Sequence, residues 1–384
     1  MSRFEAAAIC TPGLEAVCEQ ELRALGIKPK PGAHGVVEFW ATPRQLYAAN
    51  VWLRTAARVL IRIAKFRATD FAHLQERAAE IDWATWIADD YAPQFRVTAH
   101  KSALYHTDAI AQRLHQVVGP PSIGEPEQPF IVRFDHDIAT VSVDSSGIPL
   151  HRRGWRVDIG VAPLRPTMAA ALLLAAGYDG TVPVADPFCG SGTIAIEAAL
   201  IARNLPPGGA RRFAFQTWPD FDTGSWASVN GGAKSMAREV DFVIEASDRD
   251  SAAVEATRAN AERAGVGDIV KVEQRVVAHL TGATGPGLVA SNPPYGKRVG
   301  DGDLGALYKR FGAVVRERRP EWGLAVVASD PRLARTADNR LRPLTSLGHG
   351  GINVEFLART PDPADLATAE PAAPEAAQDS AGSE

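Results

Sequence analysis

The sequence is organised around a glycine-rich turn, Asp186-Pro187-Phe188-Cys189-Gly190-Ser191-Gly192, which lies between an apolar run at 181–185 and a helix-forming run at 193–202. The first run predicts a buried strand and the second a helix with apolar residues on more than one face. Glycines at such a junction let the backbone approach a ligand closely, and free amides at the helix start face an anionic group. The pattern predicts a nucleotide-type ligand at Gly190 and Gly192.

A second predicted strand, residues 241–247, ends in Asp248-Arg249-Asp250, and residues 252–264 predict the helix that follows it. In a doubly wound fold, an acidic residue at the end of the second strand binds ribose hydroxyls. We therefore predict that Asp248 is a ribose ligand and that Asp250 is the N-cap of the next helix. The alternative is that both acids only cap the helix.

A third predicted strand, residues 287–291, leads directly into Asn292-Pro293-Pro294-Tyr295. An exocyclic amine on a planar base is a poor nucleophile, because its lone pair is delocalised into the ring. The Asn292 side-chain carbonyl and the Pro293 backbone carbonyl can each accept one N–H, which localises that pair, and Tyr295 offers a ring on which a base can stack. The loop predicts group transfer to a planar nitrogen without a strong general base.

At these two motifs the chain resembles class I S-adenosylmethionine-dependent amino-methyltransferases. Further stretches resemble the bacterial THUMP-domain RNA methyltransferases, and among them the group that makes N2-methylguanosine in large-subunit (23S) ribosomal RNA. These stretches are Leu150-His151-Arg152-Arg153-Gly154-Trp155-Arg156, Ala162-Pro163-Leu164-Arg165, 186–199, 292–296, 13–26 and Lys101-Ser102-Ala103-Leu104-Tyr105-His106-Thr107. The Asn-Pro-Pro-Tyr motif alone is shared with N6-adenine DNA methyltransferases and with enzymes that act on glutamine amides, so the N-terminal stretches favour RNA.

The resemblance implies an α/β protein in which ferredoxin-like and THUMP α+β domains precede a Rossmann-like, seven-stranded methyltransferase domain. The implied cofactor is S-adenosyl-L-methionine, and the implied partner is RNA, either 23S ribosomal RNA or a large-subunit precursor. The site residues assigned in this way are Asp186, Phe188, Gly190, Gly192 and Asp248 for the cofactor, Asn292, Pro293 and Tyr295 for catalysis, and Lys101, Ser102, His106, Arg152, Arg153, Trp155 and Arg156 for RNA. Burial of Trp155 between domains is the alternative for the basic linker.

Two positions depart from the family pattern. Pro166 stands where similar proteins usually have Glu, and it suits the first turn of a helix beginning near Thr167. Val276 stands where the family usually has an Asp that accepts a hydrogen bond from the adenine amino group. We expect adenine recognition to rest on backbone groups or to be weaker. The loss of one such hydrogen bond costs about 1 kcal/mol, which does not abolish binding.

The domain limits that we predict are 1–68 for the ferredoxin-like domain, 69–146 for THUMP, 147–165 for a basic linker, 166–360 for the methyltransferase domain and 361–384 for a disordered acidic tail. The tail holds six acidic side chains and no Lys or Arg, so the net charge of −4 becomes +2 for the remainder. A group of basic residues in the first domain is predicted either to contact phosphates or to form a solvated face: Arg54, Arg58, Arg62, Lys65 and Arg67. Residues 222–236, polar and glycine-rich, are predicted as a surface loop.

Several classes of protein are disfavoured by composition. The three cysteines and the scattered histidines have no spacing that suits a disulfide framework or a metal site, so neither is expected. No apolar run has membrane-spanning length, and we expect a cytoplasmic protein without a membrane partner. Two functional alternatives stay open: methylation of a transfer RNA guanine N2 or an adenine N6, and an RNA-binding assembly factor with a vestigial transferase.

Overall fold

The structure is a computed structural model that describes residues 3–121, 126–157, 164–295, 304–349 and 351–360. Two seven-stranded sheets organise these residues, which confirms the predicted α/β class. The predicted tail at 361–384 and part of the predicted linker, 158–163, lie outside the described residues. None of the described helices is long and apolar enough to span a membrane.

The N-terminal sheet has the strand order β2-β3-β1-β4-β7-β6-β5. Its elements are β1 (Phe4–Cys10), α1 (Glu15–Ala24), β2 (Pro29–Pro31), β3 (Val36–Ala41), α2 (Pro43–Trp52), β4 (Ala56–Arg67), α3 (Phe71–Ala79), β5 (Ala92–His100), α4 (Thr107–Val118), β6 (Glu127–Asp135) and β7 (Ile138–Asp144). The long strand β4 pairs with β1 on one side and with β7 on the other, both antiparallel. The first two predicted units therefore share one continuous sheet, and their limits stay a prediction.

The C-terminal sheet has the order β10-β9-β8-β11-β12-β14-β13, and β14 runs antiparallel to both of its neighbours. Its elements are α5 (Pro166–Ala175), β8 (Val184–Asp186), α6 (Thr193–Ala202), α7 (Thr223–Ser235), β9 (Ile244–Asp248), α8 (Ser251–Arg263), β10 (Val270–Gln274), β11 (Gly287–Ser291), α9 (Leu304–Arg318), β12 (Trp322–Ala328), α10 (Pro331–Ala337), β13 (Arg342–His349) and β14 (Ile352–Arg359). The chain builds outward from β8 through β9 to β10 and then returns to the other side of β8 as β11. This reversal creates a switch point, where open α/β sheets bind ligands.

The prediction of a surface loop at residues 222–236 is wrong, because these residues form α7. The Asp222 side chain caps the helix by accepting a hydrogen bond from the Ser225 amide at 2.9 Å. Val229 and Ala233 are buried one turn apart, and the Trp226 ring lies edge-on to Tyr47 of α2. The apolar stripe formed by these residues has helical spacing, and it stabilises a helix despite the glycines.

Candidate active site

The carboxyl ends of β8, β9 and β11 meet at the switch point. β8 is hydrogen-bonded in parallel to β9 and to β11, so Asp186, Asp248 and Asn292 emerge at the same edge of the sheet. Two hydrogen bonds connect the strand ends. The Gly190 amide donates to Asp248 Oδ2 at 3.0 Å, and the Ser291 hydroxyl donates to Asp186 Oδ1 at 2.5 Å.

The glycine turn adopts a backbone that favours glycine at both of its key positions. Gly190 has φ 52° and Gly192 has φ 83°, both in the left-handed region. A Cβ at Gly192 would lie 2.6 Å from the Thr257 side chain, whereas a Cβ at Gly190 would meet no atom within 4 Å. Gly190 therefore borders open space at the start of α6, where helix amides favour an anionic ligand.

Helix α8 holds this turn through two buried polar side chains that the sequence did not single out. Thr257 Oγ1 donates to the Gly190 carbonyl at 2.8 Å, and Asn260 Nδ2 donates to the Ser191 carbonyl at 3.0 Å. Asn260 Oδ1 also accepts the Val157 amide at 3.3 Å, so one side chain joins the linker to the turn. Polar residues three apart on the buried face of α8 were the available signal.

Asp248 lies at the end of β9 and is half-buried. Its carboxylate accepts the Gly190 amide and the Asp250 amide, the latter at 3.1 Å. A carboxylate has about four acceptor positions, so capacity remains for ribose hydroxyls. Asp250 accepts the Ala252 amide at 3.0 Å, which confirms its prediction as the N-cap of α8.

Asp186 is 2% exposed, and burial together with the nearby Asp248 charge raises its pKa to about 7. Its Oδ1 accepts from Ser291 and, at 3.2 Å, from the Phe188 amide. No described residue donates to its Oδ2, which leaves that oxygen to a ligand. The Phe188 ring packs edge-on against Phe311, with 5.3 Å between the centroids. The Cys189 thiol is buried, and desolvation raises its pKa, which disfavours a nucleophilic role.

The acceptor loop begins with an unpaired acceptor. Asn292 Oδ1 is buried and has no hydrogen-bond partner among the described residues. The hydroxyl of Tyr308 on α9 donates to the Pro294 carbonyl at 3.4 Å and so supports the loop from behind. Pro293 is buried and Tyr295 is half-buried, while Gly296 of the family motif lies outside the described residues. Leaving a buried acceptor unpaired costs about 1–3 kcal/mol, which is offset if a ligand N–H occupies it.

The two departures from the family pattern have clear positions. Val276 follows β10 and is 43% exposed, so no carboxylate stands at that point near the end of the cofactor-side strands. Pro166 is the first residue of α5, as its fixed φ and missing N–H favour.

The structure buries two of the linker residues that were predicted to bind RNA. Arg153 is buried, and each nitrogen of its guanidinium donates one hydrogen bond. The acceptors are Glu197 Oε1 at 3.0 Å, the Leu150 carbonyl at 2.9 Å and the Arg54 carbonyl at 2.6 Å. Trp155 is 6% exposed and packs in the main core, as its alternative stated. The linker therefore fastens the N-terminal sheet to α6, since Glu197 belongs to that helix.

Arg152 and Arg156, two further linker arginines, differ in exposure. Arg152 is exposed. Arg156 is half-buried, and its Nε and Nη2 have no partner among the described residues. Burial lowers the pKa of Arg156, because desolvation disfavours the charged guanidinium.

Of the residues between β5 and α4 that were predicted to contact RNA, two are exposed and one supports the loop. Lys101 and His106 are exposed, and the His106 ring lies 4.1 Å from that of exposed Tyr105. The Ser102 hydroxyl instead supports the loop, because it donates to the His100 carbonyl and accepts the Asp137 amide.

Three of the five basic residues singled out in the first domain lie beside carboxylates of the protein itself. Arg58 pairs with buried Asp144, Arg62 with Glu38 at 2.7 Å, and Arg54 lies 3.8 Å from Glu197. These three arginines are therefore engaged within the protein, whereas Lys65 and Arg67 are exposed, and phosphate contact by the group stays a prediction.

Comparison with known proteins adds independent findings. A family model described as "RMKL-like, methyltransferase domain" matches residues 153–349, and one described as "RlmL ferredoxin-like domain" matches residues 5–60. A protein of Synechocystis sp. described as a candidate RNA methyltransferase is 33% identical over 359 residues, which cover 90% of this chain and 94% of its own length.

A longer relative and a solved structure are also similar to this chain. The ribosomal RNA large subunit methyltransferase K/L of Vibrio parahaemolyticus is 34% identical to it, and the match covers 90% of this chain and 52% of the length of that relative. The crystal structure of a candidate methyltransferase in complex with SAH superposes with a TM-score of 0.84 and 29% identity, covering 94% of this chain and 99% of the other.

Proposed function

The chain belongs to the RMKL-like methyltransferase domain family, and from this premise we propose that it methylates the exocyclic N2 of a guanine in large-subunit (23S) ribosomal RNA. The observation that carries the proposal is the buried Asn292 Oδ1 at the switch point, which has no hydrogen-bond partner within the part of the chain that the structure describes. It is one strand away from the glycine turn of β8, so an amine and a methyl donor can meet there.

The cofactor is S-adenosylmethionine, which supplies an electrophilic methyl group. The site fits such a molecule, because Gly190 borders open space and Asp248 retains acceptor capacity beside it. We assign the ribose hydroxyls to Asp248 and a further polar group to Asp186 Oδ2. Phe188 supports the turn through its packing on Phe311, and Gly192 lets the turn approach Thr257 of α8.

The acceptor loop would orient the amine. Asn292 Oδ1 and the Pro293 carbonyl each accept one N–H, which turns the nitrogen lone pair toward the methyl group. Tyr295 offers its ring to the base. A target within duplex RNA would have to leave the stack at a cost of a few kcal/mol. The amine acquires positive charge only as the new bond forms, so its proton can leave afterwards without a strong base.

RNA capture falls to the N-terminal half in this proposal, with residues 69–146 acting as a THUMP domain. Exposed Lys101 and Arg152 supply positive charge for phosphate contact, exposed His106 offers its ring, and half-buried Arg156 adds a guanidinium. The relatives named for RNA methylation support this substrate class. We expect the protein to act in the cytoplasm, on naked RNA or on a ribosomal precursor.

Transfer of tritium from labelled S-adenosylmethionine to total RNA from a strain that lacks the protein tests the proposal. RNA should be separated by size before nucleoside analysis. Label in N2-methylguanosine of large-subunit RNA is the expected result. Label in transfer RNA or in N6-methyladenosine would keep the chemistry and replace the substrate. No label on any RNA, naked or in ribosomal particles, would contradict an enzymatic role and favour a vestigial, RNA-binding factor.

A further inference from the structure

Two histidines and an aspartate converge where β5 ends and β6 turns into β7. His100 Nδ1 lies 3.0 Å from Asp135 Oδ1, and His136 Nδ1 lies 2.9 Å from the same oxygen. All three candidate ligand atoms lie within 4.8 Å of one another. Among the described residues, this is the one such group of three.

The backbone holds the three side chains in register. His100 is paired with Asp135 across the parallel β5–β6 ladder, and the His136 amide donates to the His100 carbonyl at 3.1 Å. His136 and Asp137 form the turn in the left-handed region, with φ 51° and 63°. Ser102 locks both segments together, because its hydroxyl donates to the His100 carbonyl and accepts the Asp137 amide. Backbone pairing and the Ser102 hydroxyl therefore fix the positions of the two segments that carry the cluster.

We propose that His100, Asp135 and His136 bind a divalent first-row transition cation of the zinc class. Ligand atoms about 2.0–2.2 Å from such an ion are about 2.8–3.1 Å apart at octahedral angles and about 3.3–3.6 Å apart at tetrahedral angles. The two separations at Asp135 Oδ1 match the octahedral values. Imidazole with carboxylate suits zinc, whereas magnesium and calcium prefer oxygen ligands alone.

Both imidazoles approach the same carboxylate oxygen, Asp135 Oδ1. Arg133 Nη2 approaches the other carboxylate oxygen, Oδ2, at 3.5 Å and leaves Oδ1 to the histidines. The three side chains are 41–66% exposed, so a bound ion would keep positions open to solvent.

The expectation that the chain lacks a metal site came from sequence spacing alone. His100 and Asp135 are 35 residues apart, and only the parallel pairing of β5 with β6 joins them. The inference is independent of the proposed methyl transfer, because neither the glycine turn nor the acceptor loop contributes a ligand.

Zinc binding to the tag-free full chain, measured by competition with a chromophoric chelator, tests the site. The wild type should bind one equivalent. His100→Ala should weaken binding at least about tenfold. His136→Asn should do the same while preserving the turn, since Asn tolerates a left-handed φ.

His73→Ala is the matched control, because His73 pairs with one carboxylate, Asp70, at 2.7 Å and is 62% exposed. Its zinc affinity should equal that of the wild type. Circular dichroism melts of all variants exclude unfolding as the cause of a loss. The proposal is overturned if the wild type binds no zinc, if both site variants bind it as the wild type does, or if His73→Ala loses it. Weaker RNA binding by the site variants without any zinc binding would assign the cluster to RNA instead.

Discussion

Replacing Arg153 with Ala removes the centre of the joint between the two halves of the chain. The Arg153 side chain is 1% exposed and that of Glu197 is 0% exposed, so the ion pair is fully withdrawn from water. Truncation leaves the Glu197 carboxylate in the core with Arg54 as its remaining cation, at 3.8 Å, and frees the carbonyls of Leu150 and Arg54. Breaking a buried pair in this way costs about 3–5 kcal/mol.

Urea unfolding followed by tryptophan fluorescence measures this cost from the midpoint and slope. A cycle with Glu197→Ala should show that the double variant loses less stability than the sum of the single losses, by about 1–3 kcal/mol. The adjacent, exposed Arg152 provides the control, and Arg152→Ala should change stability by less than about 0.5 kcal/mol.

The opposite result has a clear meaning. If Arg153→Ala lowers the free energy of unfolding by less than about 1 kcal/mol and weakens RNA binding as Arg152→Ala does, then Arg153 belongs to the RNA surface. The structural assignment of this arginine to the joint would then be refuted.

Three further changes test the site. Asp186→Asn keeps both hydrogen bonds to Oδ1 and removes a buried charge. The raised pKa of about 7 makes the wild type lose stability as pH rises from about 4 to 7. Over that window the free energy of unfolding of the variant should therefore rise relative to that of the wild type, by up to roughly 4 kcal/mol. Parallel stability curves against pH would contradict this. Val276→Asp restores an adenine acceptor and should tighten cofactor binding about fivefold in calorimetry, worth about 1 kcal/mol; unchanged affinity would remove Val276 from adenine recognition. Asn260→Ala frees the Ser191 carbonyl and should weaken cofactor binding about tenfold; loss of RNA binding alone would show that Asn260 acts on the linker only.

Local patterns predicted much of the methyltransferase half. The bounds of α6 and β11 agree with the sequence, because glycine or polar residues flank each apolar run. The prediction at α7 failed because five polar or glycine residues within its last two turns obscured the stripe of Trp226, Val229 and Ala233. The prediction relied on the polar, glycine-rich composition rather than on the helical spacing of the apolar residues. Packing of those residues against α2 stabilises the helix.

Contacts between distant residues could not be predicted. Arg153 is basic and near a tryptophan, which is also the composition of an RNA surface, and only its pairing with Glu197, 44 residues away, shows that it is structural. In the same way, β4 joins the first two predicted units because it pairs with β7, and no local signal encodes that register. Sequence periodicity reports which face is apolar and does not report what covers it.

In the proposed mechanism, Asn292 orients the acceptor amine while other residues hold the cofactor. Single-turnover methyl transfer by Asn292→Ala, with cofactor affinity measured on the same preparation, tests it most directly. We expect the methyl-transfer rate of the variant to be at least about 100-fold lower than that of the wild type. We expect its cofactor Kd to stay within about threefold of the wild-type value. Collapse of cofactor affinity with the rate retained at saturation would contradict the assignment.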